Sequence, residues 1–131
     1  MNPALRRSIG ILLVAGLYGG AYADDKSTAA ADADLARLRN DITTLIGAAK
    51  CSNLVNCRIA ALGVNACGGP TEYIAYSWLS TDKADLETRI AEYNFALEDA
   101  QKLGVPVPAC VALPEPVAAC INGRCVIPAG R

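Results

Sequence analysis

Histidine is absent from this 131-residue chain. That removes Ser-His-Asp and Cys-His nucleophile systems, zinc sites that need imidazole, and haem attached through Cys-x-x-Cys-His. An excess of one charge is missing too. The chain carries 12 Lys+Arg against 13 Asp+Glu, a net of −1, whereas a nucleic-acid surface concentrates positive charge. Aromatic side chains are scarce, at 5% of residues. No Gly-x-x-x-x-Gly-Lys loop follows the Gly68-Gly69 pair, and no alternating Asp/Asn calcium loop occurs. The length allows one modest domain.

What is present begins with a leader. Arg6 and Arg7 precede a short apolar run over residues 9–17, and Ala21-Tyr22-Ala23 forms an Ala-x-Ala cleavage signal before Asp24-Asp25. Residues 1–23 are therefore expected to be a signal peptide, and 24–131 a single disulfide-rich globular domain. The run is shorter than the roughly 20 apolar residues of a membrane span. No stable membrane insertion is expected after cleavage. The expected location is the periplasm or the exterior.

All six cysteines, Cys51, Cys57, Cys67, Cys110, Cys120 and Cys125, lie beyond the leader. An even number in a short exported chain predicts three disulfides. The spacing is Cys-x5-Cys-x9-Cys-x42-Cys-x9-Cys-x4-Cys, with no Cys-x-x-Cys for a redox pair or a zinc ribbon. A thiolate metal site is the weaker alternative, and no metal or cofactor is expected. Fifteen pairings are possible. Cys51–Cys57 is a plausible local staple. Cys120 and Cys125 face each other across a turn, bonded either to each other or to other cysteines.

Residues 24–31 read as a polar, Ala-rich arm. A first helix follows, its apolar stripe made by Leu35, Leu38, Ile42, Leu45 and Ala49. Residues 58–64 read as a strand, and Cys67-Gly68-Gly69-Pro70 as a turn. With Pro70 at a first helical position, residues 71–79 read as a short helical segment. A second long helix has N-cap candidates Ser80, Thr81 and Asp82, a stripe of Leu86, Ile90, Tyr93, Leu97 and Ala100, and Gly104 as its stop. Asn122-Gly123 between two short apolar runs is a hairpin signal. The expected fold is α+β: two main helices packed with a small antiparallel sheet that ends in a β-hairpin, all stapled by disulfides.

Chemistry-bearing residues cluster after the Gly-Gly turn, where Glu72, Tyr73, Tyr76 and Trp78 fall close together. Tyr and Trp anchor interfaces and stack on sugars, so these four are the candidate binding residues. The plainer reading is that the aromatics fill the core. Carboxylates of the second helix are interleaved with Lys83, Arg89 and Lys102, as on a solvated face. No catalytic residues are assigned.

The pattern Cys51…Cys57-Arg58-Ile59-Ala60-Ala61-Leu62-Gly63…Cys67-Gly68-Gly69-Pro70…Tyr73…Tyr76-Ser77, then Tyr93, Cys110 and Cys120-Ile121-Asn122-Gly123-Arg124-Cys125, resembles a group of small exported proteins and lipoproteins of Gram-negative bacteria. The resemblance spans nearly all of the chain after the leader and implies an envelope compartment, with no particular activity. Unlike the lipoprotein members, this chain has no Cys at the processing site. The expected function is a small non-catalytic binding or accessory protein of the envelope, inhibitor-like in acting through protein contacts. Its partner would be an envelope protein or a cell-wall component, not nucleic acid. The alternative is an envelope-sugar-binding module or a hydrolase using carboxylates near Tyr73, Tyr76 and Trp78.

Overall fold

The structure, a computed structural model, describes residues 22–129. The leader expected over residues 1–23 lies outside the described residues except for its last two positions. Among the described residues are two α-helices, one 3-10 turn and four strands. These are α1 (Tyr22–Ile46), the 3-10 turn (Leu54–Asn56), β1 (Cys57–Leu62), β2 (Glu72–Ser77), α2 (Lys83–Lys102), β3 (Ala119–Ile121) and β4 (Arg124–Val126). The α+β architecture with three disulfides is the one that the sequence pattern predicts. No helix among the described residues is long and apolar enough to cross a membrane.

The β1–β2 pair is the middle of three layers. Its register sets Cys57 opposite Ser77, Ile59 opposite Ala75 and Leu62 opposite Glu72. Alternation along each strand then sends Ala60, Leu62, Ile74 and Tyr76 to one face, and Cys57, Ile59 and Ala75 to the other. The first face packs on Ile42 of α1 and on Leu86 and Ile90 of α2. The second packs on Cys125, Ala118 and Ala49, beside Cys51 and Cys120. The helices continue past the sheet, with Leu35 against Leu97 and Ala100. Leu35 meets the end of α2 and Ile42 its beginning, so the two helices run antiparallel.

The segment over residues 71–79 is not helical: it forms β2 and the loop after it. Tyr73, Ile74 and Tyr76 favour a pleated surface, and β1 offers six paired positions. Pro70 closes the turn before the strand rather than opening a helix. The expected arm over residues 24–31 is also corrected, because α1 already includes it. Alanine is the best helix former, and Ala31 packs on the Leu35–Leu97 seam. At the other end α1 stops at Ile46, so Ala49, expected on the helix stripe, instead lies beyond it and is buried against the hairpin.

α2 starts as its sequence indicates, with the Asp82 carboxylate accepting from the Asp85 N–H at 3.0 Å. The β3–β4 hairpin turns at Asn122 (φ 52°) and Gly123 (φ 73°), the two left-handed positions of a type I′ turn. Its far edge is covered by the chain after α1. The Cys51 N–H donates to the Gly123 carbonyl (2.9 Å), and the Cys125 N–H donates to the Ala49 carbonyl (2.8 Å).

The disulfides join Cys51 to Cys120, Cys57 to Cys125, and Cys67 to Cys110. The local staple Cys51–Cys57 is not formed, because both residues reach across to the hairpin. Cys120 and Cys125 are directly opposed and each bonds outward. Three disulfides suit an oxidising, extracellular or periplasmic environment.

Gly63 follows β1 with φ +81°, a left-handed backbone that costs other residues about 1–2 kcal/mol. A Cβ there would lie 3.1 Å from Thr71 Cβ and well inside the radius of Thr71 Oγ1. That hydroxyl donates to the Leu62 carbonyl at 3.0 Å and closes the β1–β2 connection. Gly63→Ala is expected to destabilise the fold by about 2–4 kcal/mol, combining the backbone and overpacking costs. Urea denaturation would measure it, and a loss under 1 kcal/mol would contradict the described geometry.

Candidate binding surface

The four residues singled out in the sequence do not form one surface. Glu72 faces α1, where its carboxylate oxygens accept both terminal nitrogens of the Arg39 guanidinium, the second at 2.8 Å. This bidentate hydrogen bond pushes the Arg39 pKa up, against partial burial that pulls it down; Tyr93 adds a smaller upward contribution. Arg39 and Glu72 are thus engaged with each other across the contact between α1 and β2.

Tyr76 is 5% exposed and packs among Ile42, Leu62, Leu86 and Ile90. Tyr73 lies three positions earlier on the strand, so it points to the opposite face. There it lines an open apolar groove of about 390 Å³ with Ile46, Ala75, Val126 and Ile127. Burial thus absorbs Tyr76 and the Arg39 clamp absorbs Glu72, while Tyr73 and Trp78 reach separate surfaces.

Trp78 is the exception to burial, at 52% exposed, and three exposed aliphatic side chains accompany it: Leu79, Leu54 and Val55. Two hydrogen bonds bring them together. The Trp78 indole N–H donates to the Val55 carbonyl (2.9 Å), and its backbone N–H donates to the Asn56 carbonyl (3.1 Å). The 3-10 turn and the β2–α2 loop are thereby held side by side. Asn56 fixes that turn from below: its buried side-chain oxygen accepts from Ser52 N–H, Ser52 Oγ and Asn53 N–H at 3.0–3.2 Å. From Leu54 and Val55 a groove of about 340 Å³ runs on to Pro116 and Val117, with Arg58 and Glu115 on its walls. Val117 is itself 76% exposed. Contiguous exposed apolar side chains on a small fold mark contact surfaces. Leu54, Val55, Leu79 and Val117 carried no sequence signal, because nothing periodic distinguishes an exposed aliphatic residue from a buried one.

The Cys-Gly-Gly-Pro turn has a structural explanation. Asn65 is buried, and all four of its side-chain hydrogen-bonding positions are used. Its oxygen accepts from the Cys67 and Gly69 N–H groups (2.9 and 3.2 Å), and its nitrogen donates to the Pro70 and Val111 carbonyls (3.3 and 3.2 Å). Cys67–Cys110 then locks the turn to the Pro-rich segment. The α2 carboxylates form surface pairs along the helix: Lys83 with Glu87 (3.3 Å), Arg89 with Glu92 (3.0 Å) and Lys102 with Asp99 (2.7 Å). The last pair holds the Lys102 pKa up, chiefly through its hydrogen bond. These cations and carboxylates are three or four positions apart, as on a solvated helix.

Comparison with protein-family models, curated proteins and solved structures gave no match.

Proposed function

We propose that the chain is a small exported, non-catalytic binding protein of the bacterial envelope, periplasmic or secreted, that grips a protein partner through Trp78, Leu79, Leu54 and Val55. The observation that carries this reading is the exposure of a tryptophan and three aliphatic side chains together on a disulfide-stapled scaffold. A backbone already fixed loses less freedom on association, so more of the contact energy appears as affinity. Trp is the residue type most often found at interface hot spots. The aliphatic neighbours favour a protein over a sugar, because a sugar site sets polar hydrogen-bonding groups around its aromatic platform. A partner enzyme blocked by this surface would make the protein inhibitor-like.

The test compares immobilised wild type with the double variant Trp78→Ala, Leu79→Ser in envelope extract. Both side chains are about half exposed. Trp78→Ala removes the indole bond to Val55 but keeps the backbone N–H bond to Asn56, so the variant is expected to stay folded with a melting midpoint lowered by several degrees. The single variant Leu79→Ser, which keeps both bonds, should also reduce recovery. Recovery of a specific protein should fall at least about tenfold, the scale of a hot-spot loss above 1.4 kcal/mol. Identical recovery by the two proteins, or no specific recovery by wild type, would overturn the reading.

A further inference from the structure

Two disulfides meet at one point of the fold. The sulfurs of Cys51, Cys57 and Cys125 all lie within 4.8 Å of one another, and Cys120 is bonded to Cys51. Four sulfurs from three separate stretches of chain are therefore gathered between the β1–β2 pair and the hairpin. We infer that reduction of these two disulfides creates a tetrathiolate site for Zn²⁺, formed by Cys51, Cys57, Cys120 and Cys125.

Three features support the site. The first is spacing. Zinc–sulfur bonds of about 2.3 Å in a tetrahedron set the sulfurs about 3.8 Å apart. Those of Cys51, Cys57 and Cys125 already lie within 4.8 Å of one another, and the Cys120 sulfur, bonded to that of Cys51, has further to move. The paired Cα atoms, 6.0 and 5.3 Å apart, need little movement for the sulfurs to part. The second is backbone support that does not depend on sulfur. Cys51 and Cys125 are held by N–H bonds to Gly123 and Ala49, Cys120 by its pairing with Cys125, and Cys57 by its pairing with Ser77. The third is charge. Four thiolates around Zn²⁺ carry −2, and the next residues to Cys51 and Cys125 are Lys50 and Arg124, exposed cations that are themselves bridge partners. Nearby cations favour thiolate over thiol. The sequence lacks the short Cys-x-x-Cys chelate loop; the opposed pair Cys120 and Cys125 takes its place across the hairpin.

The reductant is a dithiol. Its thiolate attacks the half-buried Cys51–Cys120 bond to form a mixed disulfide, and its second thiol releases the product as an oxidised dithiol. A second equivalent reduces Cys57–Cys125. In total four electrons and four protons pass to the protein and two dithiols become disulfides. One Zn²⁺ then displaces four protons. Four soft thiolates in a tetrahedron select zinc over magnesium, calcium or manganese.

The full chain, reduced anaerobically with a phosphine, is titrated with Co²⁺ as a spectroscopic probe and then with Zn²⁺. The expected result is one Co²⁺ per chain with the visible bands of tetrahedral sulfur coordination, displaced by one Zn²⁺, and a higher melting midpoint with Zn²⁺ than without. The oxidised chain should bind neither ion. The double variant Cys67→Ser, Cys110→Ser should keep the site, whereas Cys120→Ser, Cys125→Ser should weaken Zn²⁺ binding at least about 100-fold. The inference is overturned by absence of the tetrahedral spectrum, by dependence on Cys67 and Cys110, or by zinc binding that leaves the melting midpoint unmoved, as scavenging by an unfolded chain would.

Discussion

Replacing Cys57 and Cys125 with alanine is expected to cost about 3 kcal/mol, removing Cys51–Cys120 alone about the same, and removing both about 6 kcal/mol. Sequence separations of 68 and 69 residues would by themselves predict more, about 4 kcal/mol each and about 9 together. The bridges overlap, however: Cys51–Cys120 and Cys57–Cys125 cross, both enclose Cys67–Cys110, and each shortens the others' loops. With Cys67–Cys110 intact, the covalent path from Cys57 to Cys125 shrinks to about 25 residues; with Cys51–Cys120 also intact it is about a dozen, and loop entropy follows the logarithm of that length. Urea denaturation of the two double variants and the quadruple variant, all with Cys67–Cys110 oxidised, gives the three numbers. A loss near 9 kcal/mol for the quadruple variant would mean that the loops act independently in the unfolded chain. A domain of this size has some 5–15 kcal/mol of net stability, so a loss of 6 would leave it marginal.

The second large effect is expected at Ile42, which is fully buried at the junction of α1, α2 and the sheet. Ile42→Ala should cost about 3–4 kcal/mol, the transfer energy of the lost methylenes plus the cavity they leave, and Ile42→Val about 1 kcal/mol. Leu35→Ala should cost less, about 2 kcal/mol. Leu35 sits on the seam beyond the sheet, enclosed by the two helices and by Val105 just past α2, which can close over the gap. Chemical denaturation of the three variants ranks them. Equal losses at Leu35 and Ile42 would show that the sheet adds nothing to the packing around α1.

The parts of the fold that were legible are those in which cause and effect lie close in the chain. Asp82 caps α2 three positions before the N–H it satisfies, and Asn122-Gly123 carries its turn in its own backbone angles. The misread parts depend on distant partners. β2 becomes a strand because β1 lies beside it, and only their register shows that Tyr76 is core while Tyr73 is not. Cys51 and Cys57 are six positions apart, yet their bonding partners lie nearly 70 residues away. The candidate site divided for the same reason. The spacing of Glu72, Tyr73, Tyr76 and Trp78 does not reveal that Arg39 reaches one and that the sheet splits the others. Trp78 acquires its apolar company only when the 3-10 turn folds against the loop before α2.

The position of the cysteines also treats the two helices differently. α2 lies inside the loop closed by Cys67 and Cys110, but α1 precedes Cys51, the first cysteine in the chain. It is the one regular element among the described residues outside every covalent ring. It is held to α2 and the sheet without a disulfide, by packing, by the Arg39–Glu72 clamp and by contacts such as the Thr28 hydroxyl donating to the Leu103 carbonyl at 3.4 Å. α1 can therefore depart and return with every disulfide intact, baring Leu62, Tyr76, Leu86 and Ile90. An identical helix from a second molecule has the same complementary face. The topology thus permits exchange of α1 between copies, while the rings bar any such trade of the hairpin.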